Sequence, residues 1–330
     1  MIEALEKQRL IYVTGKGGVG KSTVTAALGR ALAARGQRTL VIETDAFSAM
    51  PDLLGLDADT HEATPAGENL WAINLEASEC FVQALRRFVP SERISRAVAQ
   101  NKVARVFFKA APSVNEFVIL DQVTEQLDRE ENGRPLYDHV IVDLPASGHA
   151  VTFLSVPQTL HGMMKVGPIA SRAERIAADV RDESLTAIIG VCLPEEMPVN
   201  ETLDLARKLD ESLDRSLSGV ILNMVHTLPV DPARRDVFEN LLSQLREEGQ
   251  IDEDSLHKDG PALNKVVAGN ALAMGWHDRD QHYLGLLTSR IDAPVKPIPV
   301  IYEEDSTTIV DALAQKLQEP TDDSEEAAAS

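Results

Sequence analysis

Short apolar runs alternate along this chain with longer stretches in which apolar residues recur every three or four positions. The runs at 9–14, 38–44, 138–143, 186–193, 217–223 and 295–301 are mostly Val, Ile and Leu, and each reads as a buried strand. Thr23 to Ala34 reads as a helix. Phe81, Ala84, Leu85, Phe88 and Val89 keep one helical face, as do Phe117, Leu120, Val123 and Leu127, so helices are expected over about 77–130 with both stripes in the core. Residues 158–182 are again helical, with a break at Gly167-Pro168. Helices are predicted at 232–248 and 261–290, divided by a polar link at 249–260, and a last one at 306–317. Strands alternating with helices predict an α/β fold: a doubly wound, mostly parallel sheet flanked by helices, with a helical subdomain inserted. No internal repeat is present, so residues 1–318 are expected to form one unit, with helical insertions at about 77–130 and 158–182. The tail 319–330 carries five acidic residues and no basic ones, and is predicted to be disordered.

Composition narrows the partners. Hydrophobic residues make up 44% of the chain and aromatics 4%, so aliphatic side chains must fill the core. The net charge of −20 disfavours a phosphate-backbone footprint and attraction to anionic lipid, so neither nucleic acid nor permanent membrane insertion is expected. The two cysteines, Cys80 and Cys192, form no C-x-x-C pair, which predicts no zinc site and no disulfide framework. No run approaches the ~20 apolar residues of a membrane span. Met1 to Arg9 lacks an apolar signal core, so a cytoplasmic location is expected.

The chemistry is concentrated in one stretch. Gly15, Lys16, Gly17, Gly18, Val19, Gly20, Lys21, Ser22 and Thr23 follow a strand and open a helix, and they meet the spacing G-x-x-x-x-G-K-[ST]. Glycines let the backbone approach phosphate oxygens, and the following helix offers its unpaired N–H groups and positive dipole end. Lys21 is expected on the β- and γ-phosphates of ATP, and the Ser22 hydroxyl on a bridging Mg²⁺. Gly15, Asp45, Asp143 and Asn223 each close a strand pattern, and ligands of parallel sheets sit beyond those ends.

Lys16, one residue after the first glycine, makes the loop K-G-G-x-G-K-[ST], which resembles the deviant Walker A ATPases: ParA, MinD, the nitrogenase iron protein and the arsenite-pump ATPases. Residues 142–154, Val-Asp-Leu-Pro-Ala-Ser-Gly-His-Ala-Val-Thr-Phe-Leu, are similar to the switch II segment D-T-A-P-T-G-H-T-L-R-x-L of the arsenite-pump and tail-anchored-protein targeting ATPases. Residues 191–202, ending Glu201-Thr202, resemble that family's strand-to-helix segment, and 112–116 echo its P-G-x-x-E more weakly. The resemblance runs over about 9–318 and fits bacterial single-domain ArsA-like ATPases.

The resemblance implies roles. Lys16 would reach across a dimer interface to the partner's phosphates. Asp45 aligns with the switch I aspartate that orients the attacking water, although Ala46, Phe47 and Ser48 replace the family's Pro, Ala and His. Asp143 would hold Mg²⁺ through water, and Gly148 would bring a switch II amide to the γ-phosphate. His149 would either link switch II to the client region or simply pack. Asn223 would read adenine, with backbone near Pro299 as the second base contact. A homodimer, or a heterodimer with a paralogue, is implied.

Three tasks follow from the resemblance: handling of a hydrophobic or membrane-protein client, a regulatory binding module with slow turnover, or the ATPase subunit of an arsenite-type anion transporter. Two unrelated cysteines disfavour arsenite, which prefers converging thiolates. The acidic tail stands where a MinD-like protein would carry a basic amphipathic helix, which disfavours a positioning ATPase. Leu160, Met163, Met164, Val166 and Ile169 match the family's client-facing region, although core packing is the expected use of this stripe.

Overall fold

The computed structural model describes residues 1–44, 48–57, 62–86, 112–164, 166–251 and 261–320. In chain order these form α1 (Ile2–Leu5), β1 (Leu10–Gly15), α2 (Lys21–Ala34), β2 (Thr39–Glu43), α3 (Met50–Leu54), β3 (Thr64–Gly67), β4 (Leu70–Asn74), α4 (Ala77–Arg86) and α5 (Pro112–Asp128). There follow β5 (Glu130–Glu131), β6 (Arg134–Pro135), β7 (His139–Asp143), α6 (Ser147–Met163), α7 (Pro168–Arg181), β8 (Thr186–Cys192), α8 (Glu196–Leu213) and β9 (Gly219–Val225). A 3₁₀ turn at Pro232–Arg234 leads into α9 (Arg235–Glu247), then α10 (Ala262–Arg290), β10 (Val295–Pro299) and α11 (Ser306–Gln318).

Eight strands form one sheet in the order β10-β9-β8-β1-β7-β2-β4-β3, with β5 and β6 a separate small hairpin. All neighbours in the large sheet run parallel except β3 with β4. Side chains alternate between its faces. Ile11, Val13, Val41, Ile141 and Ile221 meet the Ala- and Leu-rich α2 together with Val310 and Leu313 of α11. Tyr12, Leu40, Ile42, Val140 and Leu222 meet α5, α6, α7, α8 and Leu287 of α10. Because both faces are covered, the central strands are apolar throughout, and each fully buried Ile, Val or Leu contributes roughly 1.5–3 kcal/mol of transfer free energy. Register then fixes the site: Val13 and Glu43 both pair with Asp143, and Gly15 pairs with Val191, so four strand ends finish side by side.

The six strands read from the sequence are present, as are the helices begun at 77, 232 and 261. Phe117, Leu120, Val123 and Leu127 lie in the core or against it. Phe88 and Val89 lie outside the described residues, as do most of the 249–260 link and all but the first two residues of the tail. The β3–β4 hairpin was not anticipated: Pro65 and Gly67 weaken its strand pattern, and only an edge strand tolerates such a proline. The second helical region also differs. α6 begins at Ser147 rather than near 158, because Asp143 needs a crossover helix directly behind its strand. The stripe expected in the core is exposed instead: Met163 (77%), Val166 (84%), Met164 and Ile169 crowd the α6–α7 turn. That turn sits beyond the buried residues of α6, which end at Pro157.

Candidate nucleotide site

Val19 is buried and anchors the loop between β1 and α2, while Gly17 and Gly18 are exposed. Gly20 has φ 85°, and a Cβ there would stand 2.6 Å from the Asn223 amide nitrogen, so this residue must be glycine for two reasons. At Gly17 and Gly18 a Cβ would meet nothing within 4 Å, which leaves that side of the loop open to a ligand. No side chain caps the N-terminus of α2, where the backbone donors of Lys21 to Thr23 lie.

Asp143 ends β7 and is buried. Its Oδ1 lies 3.0 Å from the Lys21 ammonium, and its Oδ2 accepts from the Ser22 hydroxyl at 2.6 Å. Thr25 secures the first turn of α2 by donating to the Lys21 carbonyl at 2.9 Å. An ammonium, a hydroxyl, a carboxylate and uncapped helix amides thus converge at the sheet's C-terminal edge. This hard donor set suits a polyphosphate with a hard divalent cation.

Lys16 does not point idly into solvent. Its Nζ lies 3.3 Å from Oε1 of Glu201 on α8, and Ser147, the first residue of α6, donates to Oε2 of the same carboxylate at 3.4 Å. Glu201 therefore ties the loop to the start of α6. Such a part-exposed pair contributes about 0–1 kcal/mol and is readily exchanged. Gly148 is exposed in the uncapped first turn of α6, and His149 beside it is exposed too, which favours neither packing nor burial for that imidazole.

Asn223 is buried and donates to the Val19 carbonyl at 3.0 Å, so β9 braces the phosphate loop. Pro299 ends β10 opposite Val225, where the ladder bulges. Asp45, with Ala46 and Phe47, lies outside the described residues. Its flanks are held, however. Thr44 donates to the Asp143 carbonyl at 2.9 Å, and the buried Glu43 carboxylate accepts from the Ala49 amide at 2.7 Å and from the Ser48 hydroxyl. Burial pushes the Glu43 carboxyl above the usual range, against those hydrogen bonds. Neither Glu43 nor Glu201 was singled out as a site residue. Glu43 could have been noticed as a carboxylate inside an apolar run; Glu201 lies on a helix and only the tertiary structure reveals its partners.

The model of the family of anion-transporting ATPases (ArsA_ATPase) matches residues 8–172, half of the chain, including β1, the phosphate loop and β7. The chain belongs to that family. It is an ATPase, and its substrate is a nucleotide. Related proteins carry names consistent with this. ATPase BagA of Mycobacterium tuberculosis is 29% identical over 294 residues, covering 86% of this chain and 79% of that protein. An ATPase ASNA1 homolog of Entamoeba dispar is 25% identical over 287 residues, covering 73% of this chain and 83% of its own. A Halobacterium salinarum protein named for an arsenical pump-driving ATPase is 27% identical over 276 residues, covering 78% of this chain and 41% of its own. No helix among the described residues is long and apolar enough to cross a membrane.

Proposed function

We propose that the protein is a Mg²⁺-ATP-hydrolysing dimeric switch, formed by residues 1–318 as one unit, that couples closure of two copies around nucleotide to the handling of a hydrophobic client. The observation that carries the reading is the coexistence of two features: a phosphate loop whose Lys16 is held, among the described residues, by an exchangeable ion pair with Glu201, and an apolar turn that nothing in the described chain covers.

In this reading the residues of the loop, from Gly15 to Thr23, surround the phosphates. Lys21 would leave Asp143 for the β- and γ-oxygens, and Ser22 and Asp143 would hold a Mg²⁺ ion. The cation supplies charge neutralisation on the phosphates. Asp45 accepts a hydrogen bond from the attacking water and aims it in line, and Gly148 offers its amide from the uncapped turn of α6. Lys16 exchanges Glu201 for the partner's terminal phosphate, where a cation of this kind raises turnover by about 10³–10⁵. Release of Lys16 would remove one of the two groups that hold Glu201, the other being Ser147 at the start of α6, whose far end carries Met163 and Met164. Flexible methionines suit a promiscuous apolar surface.

The cysteines weigh against an arsenite-driven pump. Both are buried, and burial pushes the Cys80 thiol up to about 12 and the Cys192 thiol up to about 11, so neither offers a ready thiolate. Steady-state hydrolysis measured with and without an apolar helical peptide tests the proposal. Stimulation several-fold is expected in the parent chain, and Lys16→Ala should bind nucleotide but turn over about 10³-fold more slowly. Turnover at the parental rate in Lys16→Ala would remove the cross-subunit role.

A further inference from the structure

Past the end of β9 the chain leaves the sheet, forms α9, and returns along α10 to begin β10. β9 and β10 are parallel, so α10 runs against them. Its N-terminal part therefore lies at the C-terminal edge of the sheet, the edge that carries Lys21 and Asp143. Asp280 marks where the helix passes that edge. Its buried carboxylate accepts from the His226 backbone amide at 2.7 Å and lies 2.8 Å from Nδ1 of the same residue, just past the end of β9. On the sheet side of this point, Tyr283, Leu284 and Leu287 join the main core. On the other side, residues 262–279 continue for about 27 Å at 1.5 Å per residue. There Val267 and Ala268 pack in a separate small core with Ile251 and with Phe238, Leu242 and Leu245 of α9. The result is a helical hairpin standing on the phosphate edge. Arg235 at the start of α9 donates to Asp278 at 2.7 Å, and Asn264 near the start of α10 donates to the Gln250 carbonyl at 2.9 Å, so the two helices run antiparallel and are tied at both ends.

Helical spacing sorts the other apolar residues of the hairpin. Phe238, Leu242 and Leu245 face α10, and Val237 and Leu241, four apart, lie together on one flank of that stripe. On α10, Leu263 and Val266, three apart, lie on the corresponding flank of Val267. Because the helices are antiparallel, the two flanks fall on the same side of the hairpin, whereas Leu272 falls on the opposite one. Val237 is 68% and Leu263 65% exposed, and Leu241 and Val266 are exposed as well. Among the described residues nothing covers them. Four such side chains form a patch on the order of 400 Å², a size that marks a contact surface rather than scattered exposure. Two such faces stacked on each other, with their polar margins, come near the roughly 1,200 Å² at which specific interfaces begin.

We infer that the α9–α10 hairpin is the surface by which two copies of this chain hold one another, with Val237, Leu241, Leu263 and Val266 of one copy packed on the same face of the other. This inference rests on the dimeric reading given above and assigns the surface which that reading requires. A partner whose terminal phosphate comes within reach of Lys16 approaches the phosphate edge, and the hairpin stands on that edge. A face carried on two antiparallel helices is the same on each copy, so a two-fold axis matches patch with patch. Copies that each carry a net charge of −20 repel, and only a contact free of that charge joins them: the four residues at its centre are all apolar. Cys80 and Cys192 are buried and cannot bridge two copies instead. The hairpins then keep two chains together between turnovers, and ATP has only to close the pair.

Sedimentation of the full chain with Mg²⁺ and a non-hydrolysable ATP analogue, over a range of protein concentrations, tests the assignment. The parent should form a dimer, and its turnover per chain should rise with protein concentration. Val266→Glu should raise the dimer dissociation constant by about 10²-fold, as when a charge enters the centre of an apolar contact. Its turnover should need a correspondingly higher protein concentration to reach the same plateau, while the nucleotide affinity of the single chain stays within about twofold, as for a residue remote from the phosphates. Leu241→Glu, on the other helix, should act alike. Leu272→Glu adds the same charge to the opposite side and should dimerise like the parent. A parent that dimerises while Val266→Glu and Leu241→Glu dimerise equally well overturns the hairpin contact. So does a Val266→Glu chain that dimerises normally but loses stimulation by an apolar peptide, because the face would then hold the client. A parent that sediments as one chain at every concentration, with turnover per chain independent of concentration, would instead overturn the dimeric reading itself, so the two failures are distinguishable.

Discussion

The phosphate loop and the α6–α7 turn invert one another. At the loop, polar groups are buried or half-buried and paired: Lys21 and Ser22 on Asp143, Asn223 on Val19, Glu43 on Ala49. At the turn, apolar side chains are exposed and face outward, with Val166 84% accessible. A buried polar group costs free energy unless it is satisfied, so the loop has been built for a fixed geometry. An exposed apolar cluster contributes nothing to the fold that carries it, and such patches mark surfaces that other molecules cover. On the proposed reading, the first region would select its ligand by position and the second by apolar chemistry alone.

The largest expected break in that contrast is Lys21→Ala. It leaves Asp143 buried without its cation and removes the main positive charge from the phosphates. Nucleotide binding should be lost and kcat/KM should fall by at least about 10²–10³, read by equilibrium binding and phosphate release. Asp45→Asn should come next: ATP binds, yet cleavage slows by about 10²–10⁴, because a neutral amide is a weaker acceptor than a carboxylate and its NH₂ can turn the water the wrong way. ATP trapped on this variant at stoichiometry, with normal affinity, is the expected observation. Val166→Asp tests the other region. A charge placed on the apolar turn should remove stimulation by an apolar peptide, while unfolding free energy moves by no more than about 0.5 kcal/mol, as expected for an exposed position.

Glu43→Gln gives the smallest effect and probes how the loop's surroundings tolerate charge. The folded-state pKa of Glu43 is raised above its unfolded value near 4.5, so its stabilising contribution is complete below that value and is lost as pH rises through the folded-state pKa. The glutamine variant has no such loss. It should gain melting temperature relative to the parent between pH 4 and pH 7, with the two converging near pH 4. A gap that widens toward acid would show that Glu43 is ionised and stabilised in the fold.

Much of the fold was legible because hydrophobic period is local. The strand ending at Asp143 and the helix of Leu120 and Val123 announce themselves by spacing of 1 and of 3 to 4 in the chain, whatever lies around them. The phosphate loop was legible for a different reason: glycine, lysine and serine at fixed offsets have few other uses when a strand precedes and a helix follows. The apolar stripe at 160–169 was misread because periodicity reports that one face is apolar and does not report what lies opposite. Spacing cannot distinguish a helix face over a sheet from one facing outward. The β3–β4 hairpin escaped because Pro65 and Gly67 carry too little apolar signal.

Sequence alone determined the alternation of strands and helices, the two lysines and serine of the loop, and the family resemblance that the match over 8–172 bears out. Only the tertiary structure decided which distant residues meet. Glu201 reaches Lys16 and Ser147 from α8, Glu43 comes to stand beside Asp143 by strand register, and Asp280 orients His226 from a helix 54 residues away in the chain. The reason is physical: a carboxylate's partner depends on which strand ends finish level and which helix crosses them, and those are set by packing on both sheet faces rather than by any local run of residues.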